Sequence, residues 1–159
     1  MSQVLLGAGT TQTWATNDFN ISGFGISLGT RATLADGREF MFVQAAAAGI
    51  TQYAYVSIDE AFIATMITKT LADTRALVGC SQVAFTASYY GWVQIRGAHT
   101  GLVKASCAAD VKLYTSATAG YLDDDSTSQT AILGAVLTTA RGGTDGSAAG
   151  LFTVEPQVA

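Results

Sequence analysis

The sequence predicts an all-β protein: a small β-sandwich or β-barrel-like domain, residues 31–159, preceded by an extended N-terminal arm, residues 1–30. Three observations carry this. Apolar and polar residues alternate with a period of two in several segments. Turn residues punctuate the chain at short, regular intervals. Only one segment offers a helical face, and it suits a strand equally well.

The arm comes first. From Gly7 to Gly29 the chain is rich in Gly, Thr, Ser and Asn, with Asp18 its only charge, and Trp14, Phe19, Ile21, Phe24 and Ile26 are spaced among them. Isolated apolar residues of this kind cannot bury themselves against each other. They predict an arm that lies across a neighbouring subunit, gaining affinity from backbone pairing and aromatic anchors. Trp14, Phe19, Ile21 and Phe24 are the expected interface residues.

The β domain follows. Asp36-Gly37 lies between Leu34 and the apolar run Phe40-Met-Phe-Val43, a hairpin signal leading into a strand buried between two layers. In Tyr53-Ala-Tyr-Val-Ser-Ile-Asp59, Ala54, Val56 and Ile58 share one face and Tyr53, Tyr55, Ser57 and Asp59 the other. Asp59 to Ile67 can be read in two ways. Phe62, Ile63, Met66 and Ile67 share a helical face behind an acidic start, yet β-branched Ile63, Thr65, Ile67 and Thr68 favour a strand. In Tyr89-Tyr-Gly-Trp-Val-Gln-Ile-Arg96, Val93 and Ile95 alternate with Trp92, Gln94 and Arg96, and Gly97 is expected to end the run. Further strands are expected at Val78 to Phe85, Leu102 to Cys107, Val111 to Thr115, Ala131 to Thr138 and Leu151 to Val154. Turns are expected at Ala119-Gly120, Gly142-Gly143 and Asp145-Gly146.

Charge limits the function classes. Charged residues make up 13% of the chain and apolar residues 49%, against about 25% charged in an average soluble chain. So little polar cover predicts a surface partly covered by neighbours. The net charge is −4 with no Lys/Arg cluster, which predicts no nucleic-acid partner. The uncharged stretches Phe40 to Ile58 and Ala76 to Ile95 are interrupted by Gln, Ser, Thr and Gly, unlike a membrane span. Met1-Ser-Gln-Val-Leu-Leu-Gly7 has no basic start and only a short apolar run, so synthesis and assembly in the cytoplasm are expected. Asn20-Ile-Ser22 then has no meaning as a glycosylation sequon. Cys80 and Cys107 read as two buried thiols, with a disulfide geometrically open.

Catalytic and metal motifs are sparse. Gly25-Ile-Ser-Leu-Gly29 matches the G-x-S-x-G pattern, and Asp36, Asp59 or Asp73 followed by His99 would complete a hydrolase order. A nucleophile elbow needs a helix after the serine, whereas Thr30-Arg-Ala-Thr and the Asp36-Gly37 turn follow Ser27. His99, in Gly97-Ala-His-Thr-Gly101, reads as a solvated loop residue. Asp123-Asp-Asp125 lacks a calcium-loop pattern, having Ser128 and Gly134 where that pattern needs Gly and Glu, and reads as a solvated turn. One His and unclustered Cys give a transition metal no footing, and no phosphate-cradling glycine motif occurs. The expectation is therefore no enzyme, no cofactor and no metal.

Two stretches resemble a family of phage capsid decoration (head cement) proteins. They are Asp36-Gly-Arg-Glu-Phe-Met-Phe-Val-Gln-Ala-Ala46 and Leu77-Val-Gly-Cys-Ser-Gln-Val-Ala84 continuing through Tyr89-Tyr-Gly-Trp-Val-Gln-Ile-Arg-Gly97. Ala119-Gly-Tyr-Leu-Asp-Asp-Asp125 and Ile132-Leu-Gly-Ala-Val-Leu137 resemble the end of such chains. The resemblance implies a virion protein on the outer capsid surface, partnered by the major capsid protein and by itself as a homotrimer, with no active site. The alternative is a tail-fibre or adhesin module binding host glycans through Tyr55, Tyr89, Tyr90 and Trp92.

Overall fold

A computed structural model describes residues 10–15, 26–74 and 77–158. The all-β expectation holds: the described strands form a single mixed 11-stranded sheet.

The arm region contributes β1 (Thr13–Trp14), and β2 (Arg31–Thr33) opens the domain. β2 turns through Asp36-Gly37 into β3 (Glu39–Ala45), with Arg31 opposite Met41 and Thr33 opposite Glu39. In that turn the Asp36 carboxylate accepts the Arg38 backbone N–H and Gly37 takes φ +84°, a left-handed conformation that costs glycine little. β4 (Tyr55–Ile58) and β5 (Ile63–Met66) form the next antiparallel pair. Asp59 does not start a helix. Its Oδ1 accepts the N–H groups of Ala61 and Ile63 and closes a tight turn, after which the β-branched run extends as β5. The helix, α1 (Lys69–Ala72), begins later, behind an N-cap at Thr68 whose side chain accepts the Leu71 N–H.

β6 (Leu77–Ser81), β7 (Tyr90–Val103), β8 (Leu113–Thr115), β9 (Leu122–Asp123), β10 (Ala131–Leu137) and β11 (Gly146–Val158) complete the sheet. Several bounds differ from expectation. β6 stops at Ser81, leaving Phe85 in an isolated bridge with Ile50. The segment expected from Leu102 is the end of β7, and β11 is much longer than Leu151 to Val154. Gly97 does not terminate its strand. At φ +88° it bends β7, and the Gln94 amide spans the bend by donating to the carbonyls of Arg96 and Ala98 at 2.9 and 2.8 Å.

The bend lets one strand serve two closed circuits of pairing. The first half of β7 closes β3–β5–β4–β6–β7, and the second half joins β7–β11–β10–β8–β9. Closure pairs the strands of each circuit on both sides, and β1 and β2 stand at the two ends of the strand order. Met41, Val43, Val56, Ile58, Val93 and Ile95 belong to one apolar cluster, while Tyr55, Val78, Cys80, Val103, Leu137 and Phe152 belong to another. β4 stands between the two. Its period of two is as the sequence predicts, but both of its faces are buried.

A third cluster covers the outer face of β3 and β7. Phe40, Phe42 and Trp92 lie beneath Trp14, Ile26, Leu28, Ala32 and Leu34. Phe40, Met41, Phe42 and Val43 are all buried as β3 runs between this cluster and the first circuit, and each such side chain contributes about 1.5–3 kcal/mol.

Candidate functional site

The residues expected to carry function fall in separate places. Trp14 packs on its own chain: its ring centroid lies 5.9 Å from that of Phe42, and it pairs with Tyr90 through the β1–β7 ladder. The covered part of its ring is therefore covered by this chain's own outer cluster, because β3 and β7 present aromatics there. Phe19, Ile21 and Phe24 lie outside the described residues.

None of the candidate acids meets His99, whose ring nitrogens face the Tyr55 hydroxyl and the Gly97 carbonyl. Ser27 is exposed in a turn whose carbonyl accepts the Thr30 N–H. Asp36 pairs with Arg38, Asp59 holds its own turn, and Asp73 takes Lys69 and the Thr130 hydroxyl. His99 is not in a solvated loop: it is 7% exposed, within β7. The reason is the bend at Gly97, beyond which the strand resumes and turns His99 inward.

Around His99 the fold builds a buried group from three strands. Nε2 of His99 lies 2.9 Å from the hydroxyl of Tyr55 on β4, and the imidazole stacks on Phe152 of β11 with centroids 4.0 Å apart. Tyr55 meets both rings edge-on. Two glycines make the room. A β-carbon at Gly150, opposite His99 in the ladder, would stand 2.9 Å from Nε2, and one at Gly101 would collide with the Tyr55 ring. Burial lowers the His99 pKa to about 4 and raises that of Tyr55 well above its ordinary value. Both groups are thus neutral near pH 7, with their polar atoms directed at each other. Their role is to lock β4 against β7 and β11 at the junction of the two circuits. Sequence reasoning missed this group, although His99, Gly101 and Val103 do continue an alternation beyond Gly97.

Asp123 to Asp125 is more than a solvated turn. Cys107 Sγ and carboxylate oxygens of Asp123 and Asp124 lie within 4.8 Å of one another. However, Asp124 Oδ2 accepts the Ala108 N–H and Asp123 Oδ1 the Asp124 N–H, both at 2.9 Å. Asp125 is turned away to the Thr127 N–H. Burial, with the neighbouring carboxylates, pushes the Cys107 thiol up to about 11. The cluster offers three side chains, two of them carboxylates that already accept backbone N–H groups, against the four ligands of a structural zinc site and the six or more oxygens of a calcium site. Cys80 and Cys107 are both free and buried.

The charge deficit has a location. In the segments Gly97–Val103, Ala131–Leu137 and Gly146–Val158, Glu155 is the only charged residue. It is neutralised by Arg31, whose guanidinium donates to both carboxylate oxygens at 2.8 and 2.7 Å. Much of this sheet nevertheless faces outward. Leu133 and Val154 are 48% and 56% exposed, and Ala98 and Ala149 are exposed as well.

No protein-family model matches the chain, and no curated protein matches it.

Proposed function

We propose that this chain is a structural, non-enzymatic protein of a virion: a decoration protein that binds the outer surface of a phage capsid and stabilises the shell by bridging capsomers. Its partners on this reading are the major capsid protein and further copies of itself. The observation that supports it most is the outward sheet surface almost free of charge, in a chain whose aromatic, histidine and thiol side chains are largely spent on packing. A protein with that surface gains stability by being covered. The resemblance of Asp36 to Ala46 and Leu77 to Gly97 to decoration proteins supports the same reading. Many copies around a shell would multiply a modest affinity per copy, and each contact must break before the shell can burst.

The glycan-binding alternative loses two of its platforms, since Tyr55 and Trp92 are buried and cannot stack on a sugar.

Co-sedimentation with undecorated capsids tests the proposal. Saturable binding, with a rise in the temperature at which capsids release their contents, is the expected result. Binding to a glycan array without capsid affinity would overturn it.

A further inference from the structure

We propose that the seam between the two circuits is an acid-sensitive latch: protonation of His99 frees the second half of β7, with β11, from β4 and β6, while the first circuit stays closed. The latch is independent of what the chain binds.

The seam is built unlike the rest of the sheet. Beyond the bend at Gly97, one side of β7 carries a full ladder to β11, from Phe152 opposite Gly97 to Gly146 opposite Val103. Among the described residues, its other side meets β6 in a ladder only before the bend, at Cys80 opposite Gln94 and Ser81 opposite Val93. Separate bonds take over from there. The Gln82 amide reaches across to Thr100, accepting its N–H at 3.2 Å and donating to its carbonyl at 3.1 Å. The Cys80 thiol donates to the same carbonyl at 3.2 Å, and the Leu102 N–H donates to the Tyr53 carbonyl at 2.9 Å. His99 and Tyr55 complete the set. A boundary held by scattered bonds is where a structure opens locally.

Of these bonds, the one at His99 responds to mild acid. Nδ1 faces the Gly97 carbonyl at 3.4 Å. A carbonyl can only accept, so Nδ1 carries the proton and Nε2 accepts the Tyr55 O–H. A second proton on Nε2 turns that acceptor into a donor, and the Tyr55 hydroxyl has to turn its hydrogen away inside the core. No carboxylate is among the described groups packed on the ring. β4 presents Tyr55, and β11 presents Phe152 and Gly150. Cys80 and Cys107, near Tyr55, are held protonated by burial and carry no charge. The charged imidazolium is therefore disfavoured in the closed seam, in keeping with the lowered His99 pKa.

The two cores answer differently. His99 packs on Tyr55 and Phe152, members of the second apolar cluster. The first cluster, which includes Met41, Val43, Val56, Val93 and Ile95, has no titratable side chain among its buried members. Acid thus acts on one core and spares the other. Asp123 on β9 acts in the opposite sense, since burial raises its carboxyl, so a His99 variant is needed to isolate the imidazole.

Hydrogen exchange followed by NMR provides the test, with each amide rate taken relative to its intrinsic value. Thr100 and Leu102 report on the seam, and Phe42 and Gln44, whose N–H groups donate to the Thr30 and Phe62 carbonyls, report on the first circuit. With His99 at 6.5 when open and about 4 when closed, opening at Thr100 and Leu102 should grow about 8-fold from pH 7 to 5.5 and about 60-fold by pH 4.5. Phe42 and Gln44 should stay as protected as at pH 7, and His99→Gln should abolish the growth. Equal acceleration at all four amides, or a folded His99→Gln chain that keeps the growth, would overturn the latch. Should that variant fail to fold, the wild-type imidazole decides by its own NMR titration. A midpoint near pH 4 supports the latch, and one near 6.5 removes it.

Discussion

The imidazole of His99 and the hydroxyl of Tyr55 meet 2.9 Å apart in the interior, joining the bent strand β7 to β4. Both groups are buried, and burial disfavours the charged imidazolium.

Stability should therefore fall with acid. The His99 pKa is about 4 in the fold against 6.5 for an ordinary histidine, so between these values the unfolded chain binds the extra proton. The stabilisation from keeping His99 neutral is complete above pH 6.5 and is lost as pH falls towards 4, by about 3 kcal/mol in all. Urea denaturation at pH 7, 5.5 and 4.5 measures this. His99→Gln, which keeps an acceptor for Tyr55 but does not titrate, should flatten the slope; an unchanged slope would place the proton uptake elsewhere.

Gly101→Ala should destabilise more than Gly37→Ala. The added carbon at Gly101 strikes the Tyr55 ring inside the core, whereas the carbon at Gly37 meets nothing within 4 Å and suffers only its φ of +84°. The expected losses are about 1–3 kcal/mol for overpacking and about 1 kcal/mol for the left-handed backbone. Thermal melts of the two variants rank them.

Trp14→Ala should cost about 1–3 kcal/mol, less than a fully buried tryptophan, because the ring is half-buried on Phe42. Amide exchange at Tyr90 and Gly91, opposite β1, should accelerate in the variant. Unchanged stability combined with lost capsid or sister-subunit binding would show that Trp14 works as an anchor for a neighbour.

Glu155→Gln should cost less than about 1 kcal/mol at low salt and nothing measurable near 1 M salt. The pair with Arg31 is bidentate but lies at the surface, where solvent and ions screen it. A loss that persists in high salt would point to packing by the side-chain stems.

Much of this protein is legible along the chain. The alternation at Tyr53 to Asp59, the apolar run Phe40 to Val43 and the Asp36-Gly37 hairpin are local patterns, and strands and turns form where local chemistry allows nothing better. The shortage of charge, too, is plain in the composition. Tertiary structure alone decided the rest. Gly97 can end a strand or bend one, and only the partners on each side of β7 select the bend. His99 can sit in water or in a core, and only the room beside Gly101 and Gly150, on strands brought together by long-range pairing, draws it inside. Asp59 can cap a helix or close a turn, and β3, waiting to pair with Ile63 and Ala64, settles it as a turn. In each case two local states differ by little in free energy, so contacts between residues far apart in sequence determine the outcome.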